Sequence, residues 1–197
     1  MIFLRKYRLE AVLFLALILM ILGSWMMEFH RAAETVQEEV LRLHILAASN
    51  EAEDQQLKLA VRDRILKEAE VFKVGESKDS VELQMQTQLP TIAAIAEDEL
   101  RKHNCQDTVS VQLCRDSFST RVYDDFTLPA GEYDALRIVI GEGEGKNWWC
   151  VLFPSLCLSS SGADEWFTEH ELQILQSSPQ WEPRFALYEW VQSLKNS

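Results

Sequence analysis

An uncharged, apolar run near the N-terminus constrains this chain more than any other feature. The run extends from Ala11 to Met27 (AVLFLALILMILGSWMM) and follows a segment with three basic residues. Basic residues before such a run, with acidic residues after it, predict that the N-terminus stays inside and the remainder lies outside. Its length falls between that of a signal peptide and the roughly 20 residues of a spanning helix. Residues 1–27 are therefore predicted to be a signal peptide or a signal-anchor helix.

The remainder of the chain divides into three parts. Residues 28–39 (EFHRAAETVQEE) are mostly polar and predict a helical stalk between the membrane and a domain. Residues 40–158 switch between strand and helix periodicities and predict an extracytoplasmic α+β domain. Residues 159–197 predict a polar loop that is followed by an amphipathic helix.

The net charge argues against nucleic acid as a partner. The chain has 19 Lys and Arg against 31 Asp and Glu, which gives a formal net charge of −12. A surface of that sign repels phosphate groups. The excess of acidic residues is also what keeps an exported domain soluble.

The spacing of apolar side chains predicts the first half of the domain. Leu41, Leu43 and Ile45 recur every second residue, as in a strand with one apolar face. Apolar residues then recur every three or four positions over 57–69 and again over 85–100. These intervals predict two consecutive helices.

Period-two patterns return in the second half of the domain. They cover 109–114, 132–140 and 147–153, and the last two are joined by the glycine-rich loop GEGEGK. A strand, a glycine loop and a second strand in this order predict a hairpin. The predicted order is β-α-α-β-β-β-α, and we expect a mainly antiparallel sheet with the helices packed on one face.

Motifs of well-known enzyme classes are not found in the sequence. Gly141, Gly143 and Gly145, with Lys146 after them, lack the spacing and the following helix of a phosphate-binding loop. The patterns HExxH, GxSxG and CxxC do not occur. We therefore predict no catalytic residue, no metal site and no cofactor.

Four cysteines follow the apolar run, namely Cys105, Cys114, Cys150 and Cys157. An even number outside the cytoplasm is compatible with disulfides. Cys150 and Cys157 flank a proline that can fold the segment back, so they are a candidate pair, while four free thiols are the alternative. A nucleophilic Cys150 or Cys157 served by His44 would make the protein a thiol enzyme.

Two groups of polar or aromatic residues would be energetically unfavourable in a small domain unless they have a structural or binding role. Arg42 and His44 share one face of the first strand, which we expect to lie beside the helix that carries Arg62. They form either a half-buried polar network or a contact for a partner. Trp148 and Trp149 should point to opposite faces of the last strand, where each can fill the core or anchor an interface.

Two segments resemble a known family. Residues 41–66 read LRLHILAASNEAEDQQLKLAVRDRIL, and residues 128–157 read LPAGEYDALRIVIGEGEGKNWWCVLFPSLC. Both resemble the stage II sporulation protein R family of endospore-forming bacteria, and the run GEGEGKNWWCVLFP is the most specific part. The resemblance extends from about residue 40 to residue 158.

The resemblance implies a signalling function without catalysis. Members of the family are made in the forespore and exported into the space between the two membranes of the sporangium. There they trigger a membrane-embedded aspartic protease of the mother cell, which removes the pro-segment of sigma-E. Such an activator needs only to bind one state of its target more tightly than another.

The expected contact surface combines the first strand, the first helix of the domain and the glycine loop. Its candidate residues are Arg42, His44, Asn50, Arg62, Glu142, Lys146 and Trp148. Two other functional classes remain open from the residues alone. One is an extracytoplasmic thiol-dependent hydrolase, and the other is a binding module for cell-wall polymers.

Overall fold

The computed structural model of the chain describes residues 2–72, 77–123 and 126–154, together with a few residues of the C-terminal part. Its elements are α1 (Ile2–Glu39), β1 (Leu41–Leu46), α2 (Ala52–Phe72), α3 (Lys78–Lys102), β2 (Val109–Phe118), β3 (Arg121–Val122), β4 (Thr127–Leu128), β5 (Gly131–Ile140) and β6 (Asn147–Phe153). Most of the C-terminal segment, including most of its predicted helix, lies outside the described residues. Within it, Tyr188 is helical and buried.

The α+β class is confirmed, but the sheet is mixed rather than mainly antiparallel. The four-stranded sheet has the order β2-β5-β1-β6. The two central strands, β1 and β5, run parallel to each other, whereas β6 and β2 are antiparallel to their neighbours. Two short strands that were not predicted, β3 and β4, form a separate small sheet.

The predicted hairpin between β5 and β6 is wrong because β1 lies between these strands. The glycine loop of residues 141–146 instead passes over the end of β1. The amide groups of Glu144 and Gly145 donate hydrogen bonds to the carbonyl oxygens of Ala48 and Ala47, at 3.2 and 2.9 Å. Periodicity identifies strands but does not reveal which strand is inserted between two others.

The main core lies between the sheet and the helices α2 and α3. Leu41, Leu43 and Ile45 are fully buried there, as the alternating pattern predicted. They pack against the apolar stripes of the two helices, which include Val61 and Ala96. Pro90 lies inside α3, which continues on both sides of it.

Helix α1 packs on the opposite face of the sheet. Its last three turns bury one stripe of residues: Phe29, Ala32, Ala33, Val36 and Gln37, followed by Val40 after the helix. Val36 and Val40 pack with Tyr133 and Val151 of the sheet. The helices therefore do not all lie on one face, and the segment 28–39 is a packed part of the domain as well as a helix.

Helix α1 also carries the apolar run. Among the described residues, it is long and apolar enough to cross a membrane over Glu10–Glu39. Most of the side chains between residues 11 and 24 are exposed. A large exposed apolar surface of this kind is stable in lipid rather than in water.

Candidate functional site on the second face of the sheet

The face of the sheet that packs with α1 also carries a cluster of charged side chains. Arg42 and His44 on β1 point to this face, because Leu41, Leu43 and Ile45 point to the other one. We define the arginine face as the following residues: Arg42, His44, Asp116, Tyr123, Arg121, Arg137 and Trp149. Strand register places Arg137 of β5 and Trp149 of β6 on either side of His44.

Arg42 is the most unusual residue of this face, because its side chain has no exposure to solvent. Its Nη2 donates a hydrogen bond of 2.7 Å to the hydroxyl oxygen of Tyr123. The guanidinium carbon lies 4.0 Å from the ring centre of Phe118 and 5.0 Å from that of Tyr133. These rings offer cation–π attraction, which strengthens when the cation is desolvated.

The positive charge of Arg42 has no carboxylate beside it among the described residues. Its Nε and Nη1 atoms are buried and make no hydrogen bond. Burial lowers the pKa of the Arg42 guanidinium, although Tyr123 and Tyr133 act in the opposite direction. Burial of an unpaired charge is costly, so stability alone does not explain an arginine at this position.

His44 is paired with an acid. Its Nδ1 donates to the carboxylate of Asp116 on β2 across 2.7 Å, and only 8% of the histidine side chain is exposed. The ring packs against both Phe118 and Trp149, at 5.8 Å from each ring centre. The other ring nitrogen, Nε2, is buried without a partner.

Two further arginines complete the positive charge of the face. Arg121 stacks over the ring of Trp149, at 3.7 Å from its centre. Arg137 is half-buried, and its Nε atom is buried without a hydrogen bond. The face thus has three guanidinium groups and a histidine, against the single carboxylate of Asp116 in the described part of the chain.

The other predicted contact residues lie elsewhere. Arg62 and Trp148 meet on the opposite side of the sheet, where the guanidinium carbon is 5.1 Å from the ring centre. Asn50, Glu142 and Lys146 are exposed near the same end of the domain. The seven predicted residues therefore form two groups on opposite faces of the sheet rather than one surface, and Arg42 does not lie beside α2.

The second group surrounds a buried lysine that was not among the predicted contact residues. Lys58 of α2 is only 4% exposed. Its Nζ donates to the side-chain oxygen of Gln55 and to the carbonyl oxygen of Lys146, at 2.7 and 2.8 Å. The amide of Gln55 in turn donates to the carbonyl oxygen of Ser49. These bonds fix the glycine loop to the start of α2, so we assign them a structural role.

The cysteines give no support to a thiol enzyme. Cys150 is disulfide-bonded and faces the α2–α3 core, whereas His44 faces the other side of the sheet. Cys157 lies outside the described residues, so its pairing stays a prediction. Cys105 and Cys114 are free, and burial raises the pKa of both thiols. A nucleophilic cysteine requires a lowered pKa.

The comparisons with known proteins agree on one family. The sequence profile of the stage II sporulation protein R family matches residues 37–163. The chain belongs to this family. Both the arginine face and the glycine loop lie inside the matched range, and no solved structure matches the chain significantly.

One curated relative supports this assignment. The stage II sporulation protein R of Bacillus subtilis (strain 168) is 39% identical over 137 residues. The alignment covers 69% of this chain and 61% of the relative, so the chain spans about three fifths of that protein's length. Membership of the stage II sporulation protein R family supports a role in sporulation.

No group of three or more His, Cys, Asp or Glu residues that could hold a metal ion is found among the described residues. On the arginine face, His44 and Asp116 supply two side chains of this kind, and arginines lie near them. Cations of this kind repel a metal ion. The arrangement is better suited to an anionic group than to a metal.

Proposed function

We propose that this protein is an exported sporulation signal that activates a membrane-embedded aspartic protease of the mother cell. The protease then processes pro-sigma-E, and the signal acts in the space between the forespore and mother-cell membranes. The observation that supports this most directly is family membership over residues 37–163. An apolar N-terminal helix that continues directly into a folded domain is consistent with export.

The proposed mechanism is a shift of conformational equilibrium. An activator changes its target only as far as it binds the active state more tightly than the inactive state. The domain would supply this difference through contacts with the outward-facing part of the protease. Charged and aromatic side chains that are held in fixed positions, as on the arginine face, lose little entropy on binding.

The test is co-expression of three components in a host that does not sporulate. The host would make this chain, the candidate protease and a pro-sigma-E reporter. We expect the reporter to be shortened only when this chain is present. Reporter processing that is the same with and without this chain would refute the proposal.

A matched control separates export from folding. Leu15→Arg together with Leu19→Arg places two charges in the apolar run, where both side chains are exposed on α1. Charges at such positions oppose membrane insertion, so the domain would stay inside the cell and processing would stop. Binding to purified peptidoglycan without any effect on processing would instead favour the cell-wall binding module.

A further inference from the structure

We infer that the arginine face binds a carboxylate group on an acidic segment of the partner protein. This inference rests on the proposed function, because it names the chemistry of the surface through which the domain would act. In the free domain, the hydroxyl group of Tyr123 occupies one of the positions that the carboxylate would take.

Unsatisfied buried polar atoms are concentrated on the arginine face. Seven buried side-chain nitrogen or oxygen atoms make no hydrogen bond among the described residues. Four of them lie on the arginine face: Nε and Nη1 of Arg42, Nε of Arg137 and Nε2 of His44. Buried polar groups are normally paired, so a group of unpaired atoms on one face indicates a missing partner.

The unsatisfied arginine atoms require a partner that accepts hydrogen bonds and carries negative charge. The three unpaired arginine nitrogens are all N–H donors, since arginine cannot accept a hydrogen bond. A carboxylate accepts through two oxygens and matches the planar guanidinium group with two parallel bonds. An acidic ligand would therefore satisfy both the charge and the donors.

The positive charge of the arginine face contrasts with the acidic charge of the whole chain. The chain carries a net charge of −12, yet Arg42, Arg121 and Arg137 share one face with a single described acid. The carboxylate of Asp116 is already hydrogen-bonded to His44. Charge complementarity of this kind selects partners and speeds their encounter.

Access to Arg42 is controlled by Tyr123. This tyrosine stacks on Phe126, with 4.5 Å between ring centres, and both lie next to the short strands β3 and β4. The β3–β4 sheet is separate from the main sheet, and its strand β4 is buried in the core, so a carboxylate would have to displace the Tyr123 side chain rather than this sheet. Arg121 and Arg137 are half-buried and can make the first contact.

The test uses the full chain in lipid nanodiscs and, as a probe, a penta-glutamate peptide with blocked ends. Binding is measured at constant ionic strength from the NMR signals of the arginine Nε–H groups. We expect the Nε–H signals of Arg42 and Arg137 to shift with penta-glutamate and to stay in place with penta-glutamine. Absence of any shift of the Arg42 signal would overturn the inference.

Two variants make the test specific. Arg42→Met replaces the charged side chain with an apolar one of similar length. It should weaken peptide binding about tenfold or more. Arg101→Met is the charge-matched control, because Arg101 is an exposed residue of α3 on the other side of the sheet and is not among the candidate contact residues. Its affinity should equal that of the wild type. Equal affinity of Arg42→Met and wild type would contradict the inference.

A second variant covers the case in which Arg42→Met does not fold. Arg137→Gln changes a half-buried side chain, and we expect it to weaken peptide binding several-fold. Unchanged binding by folded Arg137→Gln would show that Arg137 and Arg42 do not form one binding site, and it would contradict the inference.

The co-expression assay separates failure of the inference from failure of the proposed function. Processing by folded, exported Arg42→Met at the wild-type level would refute the arginine face as the contact and leave the proposed function intact. Peptide binding that depends on Arg42, in a chain that never promotes processing, would refute the proposed function and leave the carboxylate site.

Discussion

The packing of α1 against the sheet can be tested with Val36→Ala. Val36 has no exposed surface and packs with Phe118, Tyr133 and Val151. The substitution removes two methyl groups, which costs about 1.6 kcal/mol at about 0.8 kcal/mol per buried carbon. A residual cavity of roughly 50 Å³ adds about 1.2 kcal/mol at about 24 cal/mol per Å³. We therefore expect the free energy of unfolding to fall by about 2–3 kcal/mol.

The assay is thermal unfolding of the full chain in detergent, followed by tryptophan fluorescence. At about 3 °C per kcal/mol for a domain of this size, the Tm should fall by about 6–9 °C. Glu38→Ala is the control, since Glu38 is an exposed residue of the same helix and should change stability by less than about 0.5 kcal/mol. Equal Tm values for the two variants would show that residues 28–39 are an independent stalk and would refute the packing described above.

Three further predictions concern the glycine loop, the thiols and one half-buried acid. Gly145→Ala should lower the urea midpoint, because its Cβ would clash with the carbonyl oxygen of Ser49. Such overpacking costs about 1–3 kcal/mol, and an unchanged midpoint would contradict this. Cys105 and Cys114 should be the two thiols that Ellman's reagent detects in unfolded, unreduced protein, and they should react slowly with iodoacetamide in the folded state, because burial raises their pKa. Four detected thiols would refute the disulfide bond of Cys150. Burial also raises the pKa of Glu82, so the folded state binds this proton more tightly than the unfolded state does. Stability therefore falls as the pH rises through the pKa of Glu82 in the folded state. Urea unfolding between pH 4 and 8 should show this fall in the wild type and less of it in Glu82→Gln, and parallel curves would exclude the effect.

Local periodicity predicted most of the elements but not their neighbours. The alternation of Leu41, Leu43 and Ile45 identified β1 and its buried face, and similar patterns identified α2, α3, β2, β5 and β6. The position of β1 between β5 and β6 depends on contacts between residues about a hundred positions apart. A glycine loop is compatible with a tight hairpin and with a crossing over another strand, so its sequence could not distinguish them.

The sequence contains a spacing pattern that predicts the packed part of α1. Phe29, Ala32, Ala33, Val36 and Val40 recur at intervals of three and four, which is typical of an amphipathic helix. The many charged residues between them favoured the interpretation as a stalk. A polar composition does not exclude a narrow apolar stripe, and small residues such as alanine make that stripe easy to overlook.

The candidate site was only partly predictable for a similar reason. The sequence placed Arg42 and His44 on one face of β1, and the structure confirms this placement. Their partners Asp116 and Tyr123 come from β2 and from the segment after β3. No local pattern links these segments to β1, because β5 lies between β1 and β2 in the sheet.

Helix α1 continues without a break from the apolar run into the folded domain, which restricts how the domain can move relative to that run. The apolar run ends at Met27 and the first residue buried in the domain is Phe29, which is about 3 Å further along the helix axis. In the uncleaved chain, no flexible segment separates the apolar run from the fold, so the domain cannot turn freely relative to the part of α1 that is long and apolar enough to cross a membrane. Under the proposed function, this rigid connection would let the domain reach a partner in an opposing bilayer only where the two bilayers lie within the combined height of the two ectodomains, so the spacing of the bilayers would itself be a condition for signalling.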